Sequence, residues 1–227
     1  HGLQVIQLGL VTTPMMIFWA EQYQGHGIIV TASHSAKDIL GVKWLVNHIS
    51  PSSADIQVLY QQLAINSTQN SSVKTNDQPV RYKQQQLPAN QVTSAYSDAI
   101  TQVFKQIYQH DNQTNSHNAE DSQLPSSKLD LVVVIDCMHG ATSNIAKPLF
   151  DHFCQNIIMM NDTPDGNFPT GNPDPTEPQR LKQLQQSVLQ HQADIGIAFD
   201  GDGDRLMVVD NRGKVVTPDH LLYLLAK

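Results

Sequence analysis

The chain has 227 residues, of which 40% are apolar and 15% charged, and a formal net charge of −7. This length is enough for one large or two ordinary domains, and the negative charge argues against nucleic acid or an anionic membrane surface as a partner. No apolar run approaches the roughly 20 residues that cross a bilayer, and no basic-then-apolar leader is visible. The two cysteines, Cys137 and Cys154, form no CxxC pair, so we expect a reducing, cytoplasmic location.

The first fifty residues alternate strand and helix patterns. Residues 5–8 predict a short strand. Thr13 followed by Pro14 predicts a helix with Thr13 as its N-cap, which continues through Trp19. Residues 27–30 are apolar and mostly β-branched, which predicts a buried strand. Two further segments follow in this part of the chain: a loop over residues 32–40 and an extended segment over residues 42–46.

Two tracts are unusually rich in Gln, Asn, Ser and Thr. Residues 61–92 contain 17 such residues among 32, a density that cannot supply a core, so we predict a long, mobile surface loop there. Residues 109–127 contain 11 among 19 and form the predicted linker. Between the tracts, apolar residues recur at helical spacing from Tyr96 to Tyr108, which predicts an amphipathic helix.

From Leu129 onwards the pattern is that of an α/β domain. The continuous apolar run at residues 131–135 is typical of a strand buried in a parallel sheet. The sequence predicts an α/β fold in which mixed or parallel sheets are sandwiched by helices. The other predicted elements are, in chain order, a helix over 145–153, a strand over 157–160, a helix capped by Thr176 with Leu181, Leu184 and Val188 on one face, a strand over 195–199, a hairpin formed by 206–209 and 214–216, and a helix from Pro218.

Three aspartates alternate with two glycines directly after the predicted strand at residues 195–199. Three carboxylates held together without a counter-ion repel one another and raise their own pKa values, and a divalent cation removes that cost. The glycines allow the backbone to fold tightly enough for Asp200, Asp202 and Asp204 to converge on one ion. Ligation by oxygen alone indicates a hard cation, and we predict Mg²⁺.

Other kinds of acidic loop share some of these features. An EF-hand needs glycine at its sixth position and glutamate at its twelfth, but those positions hold Arg205 and Asn211. A phosphatase of the haloacid dehalogenase type also places Asp-x-Asp at a strand end, with the first aspartate as nucleophile, although that strand normally opens the domain. A solvated acidic turn is the simplest alternative, but such a turn does not need three alternating carboxylates after an apolar strand.

A second candidate loop follows the predicted strand at residues 27–30. It contains Ser33 beside His34, and Lys43 lies ten residues after the serine, beyond Gly41. A serine beside a histidine is a weak signal, since an exposed turn serine and a surface lysine explain the same residues.

Together these residues resemble the α-D-phosphohexomutase family, and within it the bacterial phosphomannomutase/phosphoglucomutase type. The chain departs from the family at residues 35–37 (Ser-Ala-Lys), where Asn-Pro-Pro or similar is usual. The matching segments are the phosphoserine loop at 31–34 (Thr-Ala-Ser-His), the short motif at 41–43 (Gly-Val-Lys), the strand-to-helix turn at 136–140, the crossover at 165–169 (Asp-Gly-Asn-Phe-Pro) and 172–175 (Asn-Pro-Asp-Pro), and the metal loop at 200–205.

The resemblance implies a fold of repeated phosphohexomutase domains, of which the family has four. Residues 1–91 are expected to be the later part of domain 1, with the phosphoserine loop and a polar insertion. Residues 92–217 are expected to be domain 2 with the metal-binding loop, and residues 218–227 the start of domain 3. The family's sugar-specificity and distal phosphate-binding loops lie in domains 3 and 4, so we expect the isolated chain to show no mutase turnover.

The resemblance also implies an activity, the interconversion of hexose 1-phosphate and hexose 6-phosphate through a phosphoserine and a hexose 1,6-bisphosphate. Mg²⁺ would be held by the three aspartates and by an oxygen of phosphorylated Ser33. Lys43 is the candidate general base for the attacking hydroxyl, with a pKa lowered by neighbouring cations. His34 and Arg205 would supply positive potential to the phosphoryl oxygens.

Two alternatives stay open beside this hypothesis. One is the Mg²⁺-dependent phosphatase with Asp200 as nucleophile, which would carry an acyl phosphate instead of an acid-stable phosphoserine. The other is a catalytically silent fragment that binds a metal ion and turns nothing over.

Overall fold

The computed structural model describes residues 3–69, 82–115 and 128–226. The N-terminal part contains two separate two-stranded sheets: β1 pairs with β4 in parallel, and β2 pairs with β3 in antiparallel fashion. The elements of this part are β1 (Leu3–Gln7), α1 (Thr13–Gln22), β2 (Gly27–Val30), β3 (Val42–Leu45), α2 (Ser53–Gln69), β4 (Tyr82–Gln86) and α3 (Ala89–Asn115).

Helix α1 begins at the predicted place, but its N-cap is Thr12 and not Thr13. The Thr12 hydroxyl accepts a hydrogen bond from the Met15 N–H at 3.3 Å, which satisfies one of the free N–H groups of the first turn. Pro14 lies within that turn, where its missing N–H costs nothing. Thr13 therefore has its own hydroxyl free for another partner.

Strand β2 forms where it was predicted, but the prediction that it is buried was wrong. The side chains of Ile28 and Val30 are 71% and 63% exposed, whereas Ile29 packs against the core. A strand alternates its side chains between two faces, and one face of β2 is not covered by any part of the chain that the structure describes.

The two polar tracts contain more regular structure than we predicted. Helix α2 and strand β4 both enter the tract at residues 61–92, whose residues 70–81 lie outside the described part of the chain. A reciprocal pair of hydrogen bonds starts α2: the Ser52 N–H donates to Asp55 Oδ2 at 2.8 Å, and the Asp55 N–H donates to Ser52 Oγ at 3.2 Å. Strand β4 is polar, but its backbone pairs with β1 whatever its side chains are.

The amphipathic helix between the tracts is confirmed, and it is longer than predicted. Helix α3 begins seven positions before Tyr96 and enters the predicted linker at residues 109–127. The remainder of that linker, residues 116–127, lies outside the described residues. Val92 in the first turn of α3 is buried, and its carbonyl accepts a hydrogen bond from Trp19 Nε1 at 3.3 Å. This contact attaches α3 to α1.

The C-terminal part is a five-stranded mixed sheet of order β6-β5-β7-β8-β9, which confirms the predicted α/β class. Strand β5 runs parallel to both β6 and β7, and β7 begins an antiparallel meander through β8 to β9. The elements are β5 (Leu129–Asp136), a 3₁₀ turn (Ala141–Asn144), α4 (Ala146–Phe150), β6 (Cys154–Met160), a 3₁₀ turn (Pro178–Leu181), α5 (Lys182–Gln190), β7 (Ile195–Phe199), β8 (Leu206–Asp210), β9 (Val215–Val216) and α6 (Pro218–Leu225).

Two local predictions in this part need correction. The predicted helix at residues 145–153 is shorter, because a 3₁₀ turn precedes α4 and a turn follows it. Thr176 does not cap the next helix. Its N–H and hydroxyl both bond to Asp174 Oδ1, and the residue before the 3₁₀ turn is Glu177, which makes no side-chain cap.

Apolar side chains cover both faces of the five-stranded sheet. On one face Leu184 and Val188 of α5 pack against the strands, and on the other face Ala146 of α4 packs beside Ile135. The N-terminal core around α1 includes Ile145, which belongs to the loop before α4. The two parts of the chain therefore share packed apolar contacts.

Both cysteines are free and buried. Burial raises the pKa of the Cys137 thiol to about 12, so this thiol is neutral at physiological pH. Across the described ranges, every helix is either too short or too polar to cross a membrane.

We expect Leu184→Ala to lower the free energy of unfolding by about 2–5 kcal/mol, because it leaves a cavity between α5 and the sheet. Leu184 is fully buried. Urea denaturation followed by circular dichroism measures the change. Leu189→Ala is the matched control, since Leu189 lies on the same helix and is mostly exposed. Equal losses for the two variants would contradict the described packing of α5.

Candidate functional site

The acidic loop, residues 200–205, connects β7 to β8. Hydrogen bonds made by its first residue, Asp200, hold it closed. The Asp200 N–H donates to the Arg205 carbonyl at 3.1 Å, and the Gly203 N–H donates to the Asp200 carbonyl at the same distance. Asp200 Oδ1 then accepts from the N–H groups of Asp204 and Arg205, each at 3.1 Å. These bonds turn the backbone so that the carboxylates of the three aspartates lie close together.

The three aspartates are close enough to share one ion. One carboxylate oxygen from each of Asp200, Asp202 and Asp204 lies within 4.8 Å of the other two. Asp200 is fully buried and Asp202 is only 2% exposed. Asp202 Oδ1 is itself buried and has no hydrogen-bond partner among the residues that the structure describes. Such an oxygen costs free energy unless a ligand satisfies it, so the donor set fits a hard divalent cation.

Ser33 lies directly beside this loop although 167 residues separate it from Asp200. Its hydroxyl donates to Asp200 Oδ2 at 3.0 Å and accepts from Arg205 Nη2 at 2.6 Å. The backbone of Ser33 has φ of 55°, a left-handed conformation that is uncommon for residues other than glycine. Its N–H donates to Thr31 Oγ1 at 2.9 Å, which holds the turn in this conformation. Strained backbone of this kind clusters at functional sites.

The serine loop, residues 31–41 between β2 and β3, contacts the acidic loop at Gly201. A Cβ added at Gly201 would lie 2.3 Å from the Ser33 carbonyl oxygen and 2.9 Å from Pro173 Cγ. The Gly201 N–H donates to the Pro173 carbonyl at 3.2 Å, and its own carbonyl accepts from the Ala141 N–H at 2.9 Å. The crossover loop, the turn after β5 and the serine loop therefore all meet the acidic loop at one glycine.

Lys43 on β3 reaches the acidic loop from the N-terminal part. Its Nζ lies 2.7 Å from Asp202 Oδ2 and 2.6 Å from Asp204 Oδ2. Partial burial lowers the pKa of Lys43, but its hydrogen bonds and attraction to the two carboxylates outweigh this effect and raise the pKa above its usual value. The prediction that neighbouring cations lower the pKa was therefore wrong, because the closest charged groups are anions.

Arg205 connects the serine loop to Asp200. Its Nε lies 3.2 Å from Asp200 Oδ2, and its Nη2 contacts both Ser33 Oγ and His34 Nδ1. Arg205 Nε also lies 3.6 Å from Asp204 Oδ1. The guanidinium thus places a permanent positive charge next to the serine hydroxyl.

The pKa values of Asp200 and Asp202, the two buried aspartates of the acidic loop, move in opposite directions. Burial raises the pKa of Asp200, and the charges of Asp202 and Asp204 raise it further against the hydrogen bond from the Arg205 N–H. Burial also acts to raise the pKa of Asp202, but hydrogen bonds from Lys43 and Thr13 outweigh it, and the pKa lies below its usual value. Lys43 and Thr13, which both belong to the N-terminal part, thus favour the ionised form of Asp202.

The sequence prediction missed the role of Thr13, which we had interpreted as a helix cap. Its hydroxyl donates to Asp202 Oδ2 at 2.6 Å and its N–H donates to the Asp202 carbonyl at 2.9 Å. A threonine before a helix is an ordinary capping signal, so nothing in the local pattern distinguishes it. The signal that could have found it is the second threonine, since one cap needs only one hydroxyl.

The structure brings the sequence-predicted site residues into one cluster. Distances alone establish this proximity and leave the roles of the residues as predictions. The cluster consists of Ser33, His34, Lys43, Asp200, Asp202, Asp204 and Arg205.

Two domain models of one protein family match the chain. Residues 95–213 match "Phosphoglucomutase/phosphomannomutase, alpha/beta/alpha domain II", and residues 1–69 match domain I of the same family. The first model alone covers more than half of the 227 residues. The predicted boundaries at 1–91, 92–217 and 218–227 stay a prediction.

Curated relatives match over the whole chain. A phosphomannomutase/phosphoglucomutase of Pseudomonas aeruginosa is 33% identical over 227 residues, which are 100% of this chain and 42% of the relative. A phosphoglucosamine mutase of Clostridioides difficile is 27% identical and is covered to 44%. The chain therefore spans less than half the length of these relatives.

Solved structures show the same fold. A phosphoglucomutase/phosphomannomutase family protein of Burkholderia thailandensis superposes with a TM-score of 0.74 at 27% identity, over 98% of this chain and 43% of that one. A protein of Thermus thermophilus described as a phosphomannomutase superposes with a TM-score of 0.70 at 21% identity, over 99% of this chain and 45% of that one. At that identity the second match concerns the fold alone.

We expect Gly201→Ala to loosen the serine loop, because the new methyl group would overlap the Ser33 carbonyl. Overpacking of this kind costs about 1–3 kcal/mol, so amide hydrogen exchange over residues 31–41 should become about tenfold faster. Mass spectrometry of peptides from that loop measures the change. Gly166→Ala is the control, since a Cβ there meets no atom of the described chain within 4 Å. Unchanged exchange in Gly201→Ala would contradict the described contact.

Proposed function

This chain belongs to the phosphoglucomutase/phosphomannomutase family, and we propose that it serves the interconversion of hexose 1-phosphate and hexose 6-phosphate. The reaction passes through a phosphoserine at Ser33 and a hexose 1,6-bisphosphate. The curated relatives are phosphomutases by name, which supports the reaction class. Neither glucose nor mannose phosphate is singled out by the contacts of the described residues.

One observation carries the proposal: the Ser33 hydroxyl lies between Asp200 and Arg205 at the edge of a three-aspartate cluster. A hydroxyl that only stabilised a turn would not need a guanidinium and a buried carboxylate as neighbours. When the P–O bond to a phosphoserine breaks, negative charge develops on the serine oxygen, and Arg205 Nη2, 2.6 Å from Ser33 Oγ, would stabilise that charge.

The chemistry balances in two half-reactions. In the first, the bond between phosphorus and Ser33 Oγ breaks while a sugar hydroxyl forms a new P–O bond, so the sugar becomes a bisphosphate. The proton of the attacking hydroxyl passes to a base, and Ser33 Oγ takes up a proton. In the second, the sugar has turned round, Ser33 Oγ attacks its other phosphate, and the same steps run in reverse. No nucleotide is consumed.

The cation site is part of the proposal, and Mg²⁺ is the ion that we propose. Asp200, Asp202 and Asp204 would hold it together with an oxygen of the phosphoserine, and the unpartnered Asp202 Oδ1 supports such a site. A bound divalent cation neutralises negative charge on the phosphoryl group that is transferred. His34 lies next to Arg205 and would add positive potential on the serine side.

Lys43 is proposed as the base that takes the proton of the attacking hydroxyl. It lies beside two of the three carboxylates and is partly exposed, so a substrate can reach it. Asp202 and Asp204 raise the pKa of Lys43. Lys43 can therefore act as a base only after its hydrogen bonds to these two carboxylates are broken. In the reverse half-reaction the protonated lysine would return the proton to the departing sugar oxygen.

The phosphatase alternative finds no support in the comparisons. As a nucleophile, Asp200 would need an accessible carboxylate oxygen, but the residue is fully buried. Its Oδ1 accepts two backbone N–H groups, and its Oδ2 accepts from Ser33 and Arg205. A catalytically silent fragment would keep the same contacts, and measurements on Ser33 decide between it and the mutase.

We expect Asp202→Asn to weaken Mg²⁺ binding and phosphoryl transfer together by at least about tenfold, since one of three ligand charges is lost. Isothermal titration calorimetry with Mg²⁺ and a coupled mutase assay on the full-length protein measure the two effects. Asp219→Asn removes the same charge from an exposed position in α6 and should change neither quantity. Unaltered Mg²⁺ dependence in Asp202→Asn would show that Asp202 is not a ligand.

We expect the full-length protein to incorporate labelled phosphate from hexose 1,6-bisphosphate onto Ser33. The label should survive acid and hydroxylamine, because a phosphate ester of serine is stable where an acyl phosphate is not. Ser33→Ala should abolish incorporation, whereas Ser35→Ala, two positions along the same loop, should retain it. A hydroxylamine-labile label on Asp200 would favour the phosphatase, and no label on an intact protein would favour the silent fragment.

A further inference from the structure

We infer that Thr13 is a positioning residue that fixes the Asp202 carboxylate, so that Oδ2 is held by the protein and Oδ1 is presented to the cation. The inference rests on the cation site of the proposed function and adds to it the orientation of one ligand. It assigns a role to a residue outside the acidic loop, on the first turn of a helix 189 residues away in the chain.

Thr13 donates two hydrogen bonds to Asp202. Its hydroxyl donates to Asp202 Oδ2 at 2.6 Å, and its backbone N–H donates to the Asp202 carbonyl oxygen at 2.9 Å. Both residues are buried. Two bonds, one to the side chain and one to the main chain of the same residue, restrict the rotation of the carboxylate as well as its place.

The helix start makes these two donors available. The first N–H groups of a helix have no partner inside it, so the Thr13 N–H is free to bond outside α1. The adjacent Thr12 supplies the cap with its own hydroxyl, which leaves the Thr13 hydroxyl for Asp202. The positive end of the helix dipole also faces this carboxylate and favours its ionised form.

The two oxygens of Asp202 have unequal surroundings. Oδ2 accepts hydrogen bonds from Thr13 Oγ1 and from Lys43 Nζ. Oδ1 is buried without a partner among the residues that the structure describes. A buried unpaired carboxylate oxygen is costly, and a rotation of the carboxylate would pair it at the expense of the Thr13 bond. The two hydrogen bonds therefore fix Oδ2 and leave Oδ1 as the unsatisfied oxygen of this carboxylate.

Gly203 of the acidic loop packs closely beside the start of α1. A Cβ added at Gly203 would lie 2.6 Å from Thr142 Cγ2 and 3.0 Å from Thr12 Cγ2. The acidic loop thus lies directly against the start of α1. Because α1 belongs to the N-terminal part and Asp202 to the C-terminal part, the orientation of this ligand depends on the contact between the two parts.

The test compares Mn²⁺ affinity in Thr13→Val and Thr13→Ser, with the metal alone as probe and free Mn²⁺ measured by electron paramagnetic resonance on the full chain. Valine keeps the shape and removes the hydroxyl, so we expect about 10–100-fold weaker binding, as for other residues that orient a metal ligand. Serine keeps the hydroxyl and should bind Mn²⁺ nearly as tightly as the wild type. Thr101→Val is the control, since the Thr101 hydroxyl bonds to the Ser97 carbonyl within α3 and not to the acidic loop as the structure describes it.

A double-mutant cycle with Asp202→Asn shows whether Thr13 acts through Asp202. If it does, Thr13→Val should have little further effect on Mn²⁺ affinity when Asp202 is already asparagine. Melting temperatures are recorded for all variants, and Thr13→Ala replaces the valine variant if that one does not fold.

The outcomes separate this inference from the proposed function. Unchanged affinity in Asp202→Asn would overturn the cation site itself. Weaker binding in Asp202→Asn with unchanged binding in Thr13→Val would overturn the positioning role alone. Weaker binding in Thr13→Ser equal to that in Thr13→Val would also overturn it, since the hydroxyl would then not be the group that matters.

Discussion

The crowding of three carboxylates at the end of β7 is the constraint on which the rest of the site depends. Asp200 and Asp202 are buried, and their mutual repulsion opposes the fold of the loop unless positive charge and hydrogen-bond donors surround it. The donors come from both parts of the chain: Arg205 from the loop itself, and Lys43 and Thr13 from the N-terminal part. The acidic loop and the N-terminal part therefore stabilise each other, and the serine is carried into place by the same contact.

Close backbone approach turns this electrostatic contact into a defined geometry. The Ser33 carbonyl oxygen packs against Gly201 so closely that a methyl group added to this glycine would overlap it. The left-handed turn at Ser33 then directs the hydroxyl at Asp200 and Arg205. A phosphoryl group on that hydroxyl would lie among one guanidinium and three carboxylates. The carboxylates would repel the phosphoryl group, and a metal ion bound between them would make the contact favourable.

The sequence predicted the parts of the site that carry local signals, and missed those that depend on tertiary contacts. Alternating aspartates after an apolar strand indicated the acidic loop as a candidate cation site, and family resemblance added Ser33 and Lys43. Thr13 carries only the local signal of a helix cap, because its bond to Asp202 spans 189 residues. The pKa of Lys43 moves opposite to the expectation, since its partners could not be read from its neighbours. Polar strand β4 was missed because backbone pairing with β1 forms it, and that pairing leaves no mark in side-chain hydrophobicity.

In the proposed function, the phosphate on Ser33 and the three aspartates share one cation. Pulsed electron–nuclear double resonance on the Mn²⁺-loaded protein, phosphorylated with hexose 1,6-bisphosphate, tests it most directly by detecting ³¹P next to the metal. We expect a strong ³¹P coupling that is lost in Ser33→Ala while Mn²⁺ stays bound to the aspartates. A phosphorylated protein that binds Mn²⁺ at the acidic loop without any ³¹P coupling would show that the phosphoserine and the aspartates do not share the cation.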